Sequence, residues 1–179
     1  MQTTDKLECI EKNAIVNGIR LTYFERGMAY RGVKPTLLFV HATGFHARVW
    51  DKIINALGDF HSISIDQRGH GRSEKRKTQH WNEVITDTRE IIEQLDLNNI
   101  IAIGHSMGAH ALIGAAPHAE QRFLKIIAID PVIPEEAAFI DETSSPFNST
   151  EEHPTAKRRN EFDSAEEMAE RLKPKGSFG

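Results

Sequence analysis

The chain has 179 residues, of which 39% are hydrophobic, so it is long enough to bury a core. Its 22 basic and 26 acidic side chains give a net charge of −4, which disfavours a nucleic-acid partner, and no apolar run is long enough to span a bilayer. Cys9 is the only cysteine, which excludes an internal disulfide, and the nine histidines lack the spacing of a zinc site. The first ten residues lack the layout of a secretion signal, so we expect a cytoplasmic protein.

An opening β-hairpin is followed by alternating strands and helices. The hairpin turn is predicted at Asn17-Gly18, because this dipeptide between two apolar runs is a strong hairpin signal, and residues 19–25 alternate as a half-buried strand would. Strands are predicted over residues 8–16, 19–25, 36–40, 61–66, 99–103 and 123–130. Helices are predicted over residues 49–57, 81–95 and 106–118, with a short helix opened by the Ser164-x-x-Glu167 capping box.

The order of these elements predicts an α/β fold. The runs 36–40 and 123–130 are apolar without alternation, as in strands that are buried on both faces, and the apolar residues of 49–57 are spaced for one helix face. Such an alternation predicts a doubly wound, mostly parallel sheet with helices on both faces. Ligands of these sheets bind beyond the carboxyl ends of the strands. The residues predicted at those ends are His41, Asp66, Gly104 and Asp130.

Ser106 lies between Gly104 and Gly108 in the pattern G-x-S-x-G, after a predicted strand and before a predicted helix. This context is typical of a nucleophile elbow, a sharp turn that exposes the serine hydroxyl and leaves no room for side chains two positions away. The following helix directs its N-terminal N–H groups towards the place where negative charge develops. The alternative is an ordinary strand-to-helix connection that tolerates glycine.

Charge changes along the chain near residues 131–134. Residues 1–131 carry a net charge of +1, whereas residues 132–179 carry −5 and are largely polar. We therefore predict a core over 1–131 and a separate, partly disordered segment over 132–179.

Four ordered motifs resemble the α/β-hydrolase family over about residues 10–135. The motifs are His41-Ala42-Thr43-Gly44, Asp66-Gln67-Arg68-Gly69-His70-Gly71-Arg72-Ser73, Gly104-His105-Ser106-Met107-Gly108 and Asp130-Pro131. The segment from Val132 resembles the start of the lid that this family inserts after its sixth strand. The resemblance implies that the sheet is incomplete here, with the last strands and most of the lid missing.

The resemblance also implies roles for individual residues. Ser106 corresponds to the nucleophile, and the backbone N–H groups of Met107 and Thr43 correspond to the oxyanion-hole donors. Candidates for the substrate pocket are His41, Phe45 and His105, although Phe45 could equally be a loop aromatic that fills the core. Arg68 and His70 are expected to fix the loop rather than to catalyse. Ala42 departs from the family, which usually has glycine at this position.

A serine at this turn implies acyl transfer, since haloalkane dehalogenases and epoxide hydrolases of this fold use an aspartate there. The expected substrate is a small ester or a related acyl compound. The sequence has no G-x-G-x-x-G after its first strand and no Walker-type G-x-x-x-x-G-K, so no cofactor is implied. Neither a membrane nor a nucleic acid is expected as a partner.

A catalytic acid and a histidine base cannot be assigned in the sequence. In this family both follow the serine, but His110 and His118 lie in the elbow helix and His153 lies in the polar lid segment. Asp130 could be the acid, but an aspartate that ends a strand before proline is the more ordinary interpretation. The leading hypothesis is a fragment of a longer hydrolase without its catalytic histidine. The alternatives are a non-catalytic, hydrolase-like binding protein or inactive remnant, and a triad completed by Asp130 with His153 or a partner's histidine.

Overall fold

The computed structural model describes residues 8–133 and 162–172 of the chain. The chain divides into two compact units, residues 1–148 and 149–179. The first contains a six-stranded sheet in the order β1-β2-β4-β3-β5-β6. The strands are β1 (Ile10–Val16), β2 (Ile19–Arg26), β3 (Thr36–Val40), β4 (Ser62–Ile65), β5 (Ile100–His105) and β6 (Phe123–Ile129). Its α-helices are α1 (Asp51–Leu57), α2 (Trp81–Gln94) and α3 (Met107–Ala115).

The opening hairpin is confirmed. Asn17 and Gly18 have φ angles of 47° and 71°, the left-handed conformations that a two-residue type I′ turn requires. Strand β2 pairs antiparallel with β1 on one side and with β4 on the other. Thr22 and Phe24 are buried as well as Leu21 and Tyr23, so both faces of β2 are covered and the prediction of a half-buried strand was wrong.

The mostly parallel sheet with helices on both faces is confirmed. Strand β3 lies between β4 and β5 and is parallel to both. Leu38 and Val40 belong to a core that includes Leu112 of α3, whereas Leu37 and Phe39 pack in a second core with Trp50. Alternate residues of one strand thus support both layers, and all five residues of β3 are buried.

Two predicted burial patterns were wrong. In α1 and the preceding 3-10 turn, Trp50 and Ile54 are buried, whereas Val49, Ile53 and Leu57 are 41–48% exposed. The apolar residues of this segment therefore cover more than one face. Strand β6 pairs only with β5 and is largely exposed, because it forms the edge of the described sheet.

The second unit contains the helix α4 (Ala165–Leu172), close to the predicted position. The Ser164 hydroxyl accepts a hydrogen bond from the Glu167 N–H at 3.1 Å, and the Glu167 carboxylate accepts one from the Asp163 N–H at 2.9 Å. The first bond satisfies an N–H group in the first turn of the helix, and the second fixes the residue before the cap. None of the helices in the described parts of the chain is both long enough and apolar enough to cross a membrane.

Candidate active site

Ser106 occupies a strained turn between β5 and α3. Its φ and ψ angles are 51° and −115°, a region that residues with a side chain rarely adopt. Its N–H donates to the Ile129 carbonyl at 2.9 Å, and its carbonyl accepts from the His110 N–H at 3.0 Å. The turn is therefore tied to the end of β6 and to the first turn of α3.

The two glycines around Ser106 are required by close packing. A Cβ atom on Gly108 would lie 2.3 Å from the Val40 carbonyl oxygen and 2.7 Å from that of His41. A Cβ atom on Gly104 would lie 2.6 Å from the backbone N of Ala109. The pattern G-x-S-x-G thus follows from contacts of α3 with β5 and with the end of β3.

Thr43 and Met107, the predicted oxyanion-hole residues, lie next to each other. The Thr43 hydroxyl is 3.4 Å from the Met107 sulfur. Met107 is buried with Val84 and Ala111, whereas Thr43 is half-buried in the loop after β3. The loop and the N-terminus of α3 therefore meet beside the elbow.

Phe45 and His105 lie on the accessible side of this region. Phe45 is 46% exposed, which disfavours the alternative that it fills the core. Its ring is 6.3 Å from that of His105, which is half-buried at the end of β5. An aromatic and an imidazole ring are thus available near the turn.

His41 has no solvent exposure, which corrects its prediction as a pocket-lining residue. Its Nε2 accepts from the Gln67 N–H at 3.0 Å, so Nδ1 carries the proton and donates to the Ala42 carbonyl at 2.8 Å. Burial lowers the pKa of His41 to about 3, despite the opposing bond to Ala42. Both nitrogens of the neutral ring bind backbone groups of the loops after β3 and β4, so neither is available to a substrate.

His70, in the loop after β4, binds a backbone N–H of the loop after β3. Its Nε2 accepts from the Gly44 N–H at 3.0 Å, and its Nδ1 donates to the Arg68 carbonyl at 2.8 Å. Burial lowers the pKa of His70, a shift that the bond to Arg68 opposes. The expectation that His70 fixes the loop agrees with these bonds.

Asp66, at the carboxyl end of β4, is a buried loop organiser. Its two carboxylate oxygens accept from the Ala47 N–H at 2.6 Å and the Arg72 N–H at 2.7 Å. A Cβ atom on Gly71 would lie 2.1 Å from the Asp66 Oδ2. The glycine in this motif therefore leaves room for the carboxylate.

Arg68 points away from this loop to α2. It binds Asp87 through two bonds of 2.6 and 2.7 Å and lies 2.7 Å from the Glu83 carboxylate. Burial opposes the charge of Arg68, but these carboxylates raise its pKa above the usual value. The two acidic partners were missed in the sequence, where their four-residue spacing on a helix was the available signal.

The described histidines that follow Ser106 are not placed as its base. His110 is buried, donates through Nδ1 to the Val132 carbonyl at 3.2 Å and packs edge-on against Trp81. His118 is exposed at the end of the 3-10 turn Ala116–His118 that follows α3, and His153 lies outside the described residues. Asp130 is exposed, with a φ of 44°. The described residues therefore bring together the serine turn and the loop but not a triad.

A family model of the alpha/beta hydrolase fold matches residues 35–159, more than half of the chain. The chain belongs to the α/β-hydrolase fold family. The 2-(acetamidomethylene)succinate hydrolase of Mesorhizobium japonicum is 34% identical over 111 residues, which cover 60% of this chain and 40% of that protein. The soluble epoxide hydrolase of a Corynebacterium species is 32% identical over 103 residues, which cover 56% of this chain and 34% of that protein.

Solved structures support the same relationship. The structure of E-2-(acetamidomethylene)succinate hydrolase has a TM-score of 0.62 and 29% identity, covering 71% of this chain and 46% of that one. An epoxide hydrolase without ligand has a TM-score of 0.61 and 27% identity, covering 70% of this chain and 43% of that one. The matched region thus spans between about a third and just under half of the length of these relatives, and its relatives include hydrolases of different substrates.

Proposed function

We propose that this chain belongs to a serine hydrolase that acts on a small ester or related acyl substrate through a Ser106 acyl-enzyme. The observation that carries the proposal is the backbone of Ser106. A serine with a φ of 51°, wedged between a strand and a helix that pack through glycines, is held in strain at the carboxyl edge of the sheet. Such strain is a common feature of functional residues.

The proposed reaction begins when Ser106 Oγ attacks the substrate carbonyl and its proton passes to a histidine base. The tetrahedral oxyanion is stabilised by the N–H groups of Met107 and Thr43 and by the N-terminus of α3. Collapse of this intermediate releases the alcohol with the transferred proton and leaves an ester on Ser106. Water, activated by the same histidine, then releases the acid and restores the serine.

The residue at the turn favours acyl transfer over epoxide opening. Epoxide hydrolases of this fold use an aspartate at the elbow, whereas this chain has Ser106. The relative named 2-(acetamidomethylene)succinate hydrolase makes an acyl compound that bears carboxylates a reasonable second substrate to assay after simple esters.

A second candidate is a hydrolase-like binding protein without catalysis. The positions of the histidines favour this candidate, because among the described residues neither His110 nor His118 is placed as a base for Ser106. The serine-hydrolase proposal requires a base from outside these residues. A triad completed by His153 is one version of that requirement.

The experiment is hydrolysis of p-nitrophenyl acetate and butyrate by the product of the full natural gene. We expect Ser106→Ala to reduce turnover by about 10⁴-fold or more, because loss of a triad member leaves only the oxyanion hole and binding. Ser164→Ala, which changes a serine of the second unit, is the control and should keep the activity. Turnover that does not depend on Ser106, or no turnover of either ester or of an acyl compound that bears carboxylates, would contradict the proposal and favour the binding protein.

A further inference from the structure

The loops after β3 and β4 are joined by two reciprocal hydrogen bonds. His41, at the end of β3, accepts from the backbone of Gln67 in the second loop. His70, in the second loop, accepts from the backbone of Gly44 in the first. The two imidazole rings lie 5.2 Å apart. Each loop therefore supplies one ring and one N–H group to the other.

These bonds fix both peptide groups that flank Thr43. The Ala42 carbonyl accepts from His41 Nδ1 at 2.8 Å, and in a planar trans peptide the Thr43 N–H points the opposite way. The next peptide is fixed by the 3.0 Å bond from the Gly44 N–H to His70. The direction of the Thr43 N–H therefore depends on contacts that its own side chain does not make.

We propose that His70 is a positioning residue for the oxyanion hole. Its unprotonated Nε2 accepts a hydrogen bond from the Gly44 N–H, and this bond holds the neighbouring Thr43 N–H in its direction. The inference rests on the proposed function, because the direction of the Thr43 N–H matters only if that group stabilises an oxyanion. Protonation of His70 would place an N–H opposite the Gly44 N–H and remove the acceptor. The Gly44 peptide then loses its acceptor, whereas the Ala42 peptide keeps its bond to His41.

The groups around His70 determine the pH at which its bond to the Gly44 N–H is lost. Asp66 favours the protonated ring and Lys75 disfavours it, both from the loop after β4, and the neutral ring of His41 lies against it from the end of β3. Burial dominates and lowers the pKa of His70. The bond to Gly44 is thus intact at neutral pH and is lost as the pH falls through a value below about 6.5.

The test compares His70→Ala with His70→Gln in the full natural protein. The Gln side chain carries a carbonyl that can accept the Gly44 N–H but does not titrate, so it should rescue what Ala loses. His118→Gln, which changes an exposed histidine in the 3-10 turn after α3, is the control. The first readout is amide hydrogen exchange of Gly44 by NMR, which does not require activity.

We expect His70→Ala to lower the protection of the Gly44 amide by roughly tenfold, as for the loss of one hydrogen bond, and His70→Gln to restore most of it. With an ester substrate, His70→Ala should lower kcat by about 10-fold or more with little change in KM, as for an interaction made in the transition state. His70→Gln should recover kcat and remove one acid-side protonation from the pH profile.

The inference is overturned if Gly44 protection or kcat is the same in His70→Ala as in the natural protein while Ser106-dependent turnover persists. It is also overturned if Gln and Ala are equally impaired although both variants give a folded spectrum. If no turnover depends on Ser106, the proposed function fails, yet the exchange of Gly44 still reports whether His70 holds the loop.

Discussion

The Thr43 hydroxyl lies 3.4 Å from the Met107 sulfur, although the two residues are 64 positions apart in the chain. This contact joins the loop after β3 to the first residue of α3. The two backbone N–H groups proposed to stabilise an oxyanion therefore belong to elements that touch beside Ser106. The side-chain contact holds the loop, whereas the proposed chemistry depends on the backbone.

Substitutions at Thr43 separate these two roles. Thr43→Pro removes the N–H donor, and we expect ester turnover to fall by about 10²–10³-fold, the usual loss for one oxyanion-hole donor. Thr43→Ala removes only the hydroxyl contact and should change kcat by a few fold. Steady-state kinetics, with circular dichroism to verify folding, tests this. Equal losses in the two variants would show that the side chain, not the N–H, is what matters.

Gly108 should be intolerant of a methyl group. A Cβ atom there meets the Val40 carbonyl oxygen at 2.3 Å, so Gly108→Ala should destabilise the fold by about 3 kcal/mol and impair the serine turn. Gly32→Ala is the matched control, because a Cβ atom there has open space and only the φ of 74° opposes it, at a cost of about 1–2 kcal/mol. Urea unfolding measures both, and a smaller loss for Gly108→Ala than for Gly32→Ala would contradict the packing argument.

Removing one partner of the ion pair between Arg68 and Asp87 should lower the free energy of unfolding. Arg68 is 2% exposed, so Arg68→Ala leaves a carboxylate that is 3% exposed without its main partner, and we expect a loss of about 3–5 kcal/mol. Arg89, which lies 3.7 Å from Glu93 on the exposed side of α2, is the control, and its replacement by Ala should cost at most about 0.5 kcal/mol. Similar unfolding free energies for the two variants would contradict the assignment.

Acid should destabilise the fold partly through His41. Burial lowers its pKa to about 3, so below pH 6.5 the unfolded chain binds a proton that the folded chain does not. The unfolding free energy should therefore fall as the pH decreases, by about 2 kcal/mol between pH 6.5 and pH 5 for this residue alone. His41→Gln should show a shallower decline, whereas His118→Gln should follow the natural protein. Parallel curves for His41→Gln and the natural protein would contradict this account.

Local patterns predicted the frame of the fold. The hairpin at Asn17-Gly18 and the turn at Ser106 depend on a few adjacent residues whose conformational demands are visible in the sequence. Fully buried β3 was also predictable, because an apolar run without alternation fits a strand covered on both sides.

Features that depend on distant partners were not predictable in the same way. Ile53 is exposed and the adjacent Ile54 is buried because of the direction in which α1 packs. Strand β6 is exposed because it has one neighbouring strand in the described sheet. The assignment of His41 as a pocket residue failed because its position at a strand end does not reveal that backbone groups occupy both of its nitrogens. The partners of Arg68 were likewise set by long-range packing.

The most direct test of the central claim is to map covalent labelling of the full natural protein by a fluorophosphonate, which reacts with activated serines. The account predicts stoichiometric labelling confined to the peptide that contains Ser106, absent in Ser106→Ala and retained in Ser164→Ala. Labelling at another serine, or none under conditions in which the protein is folded, would contradict Ser106 as the nucleophile.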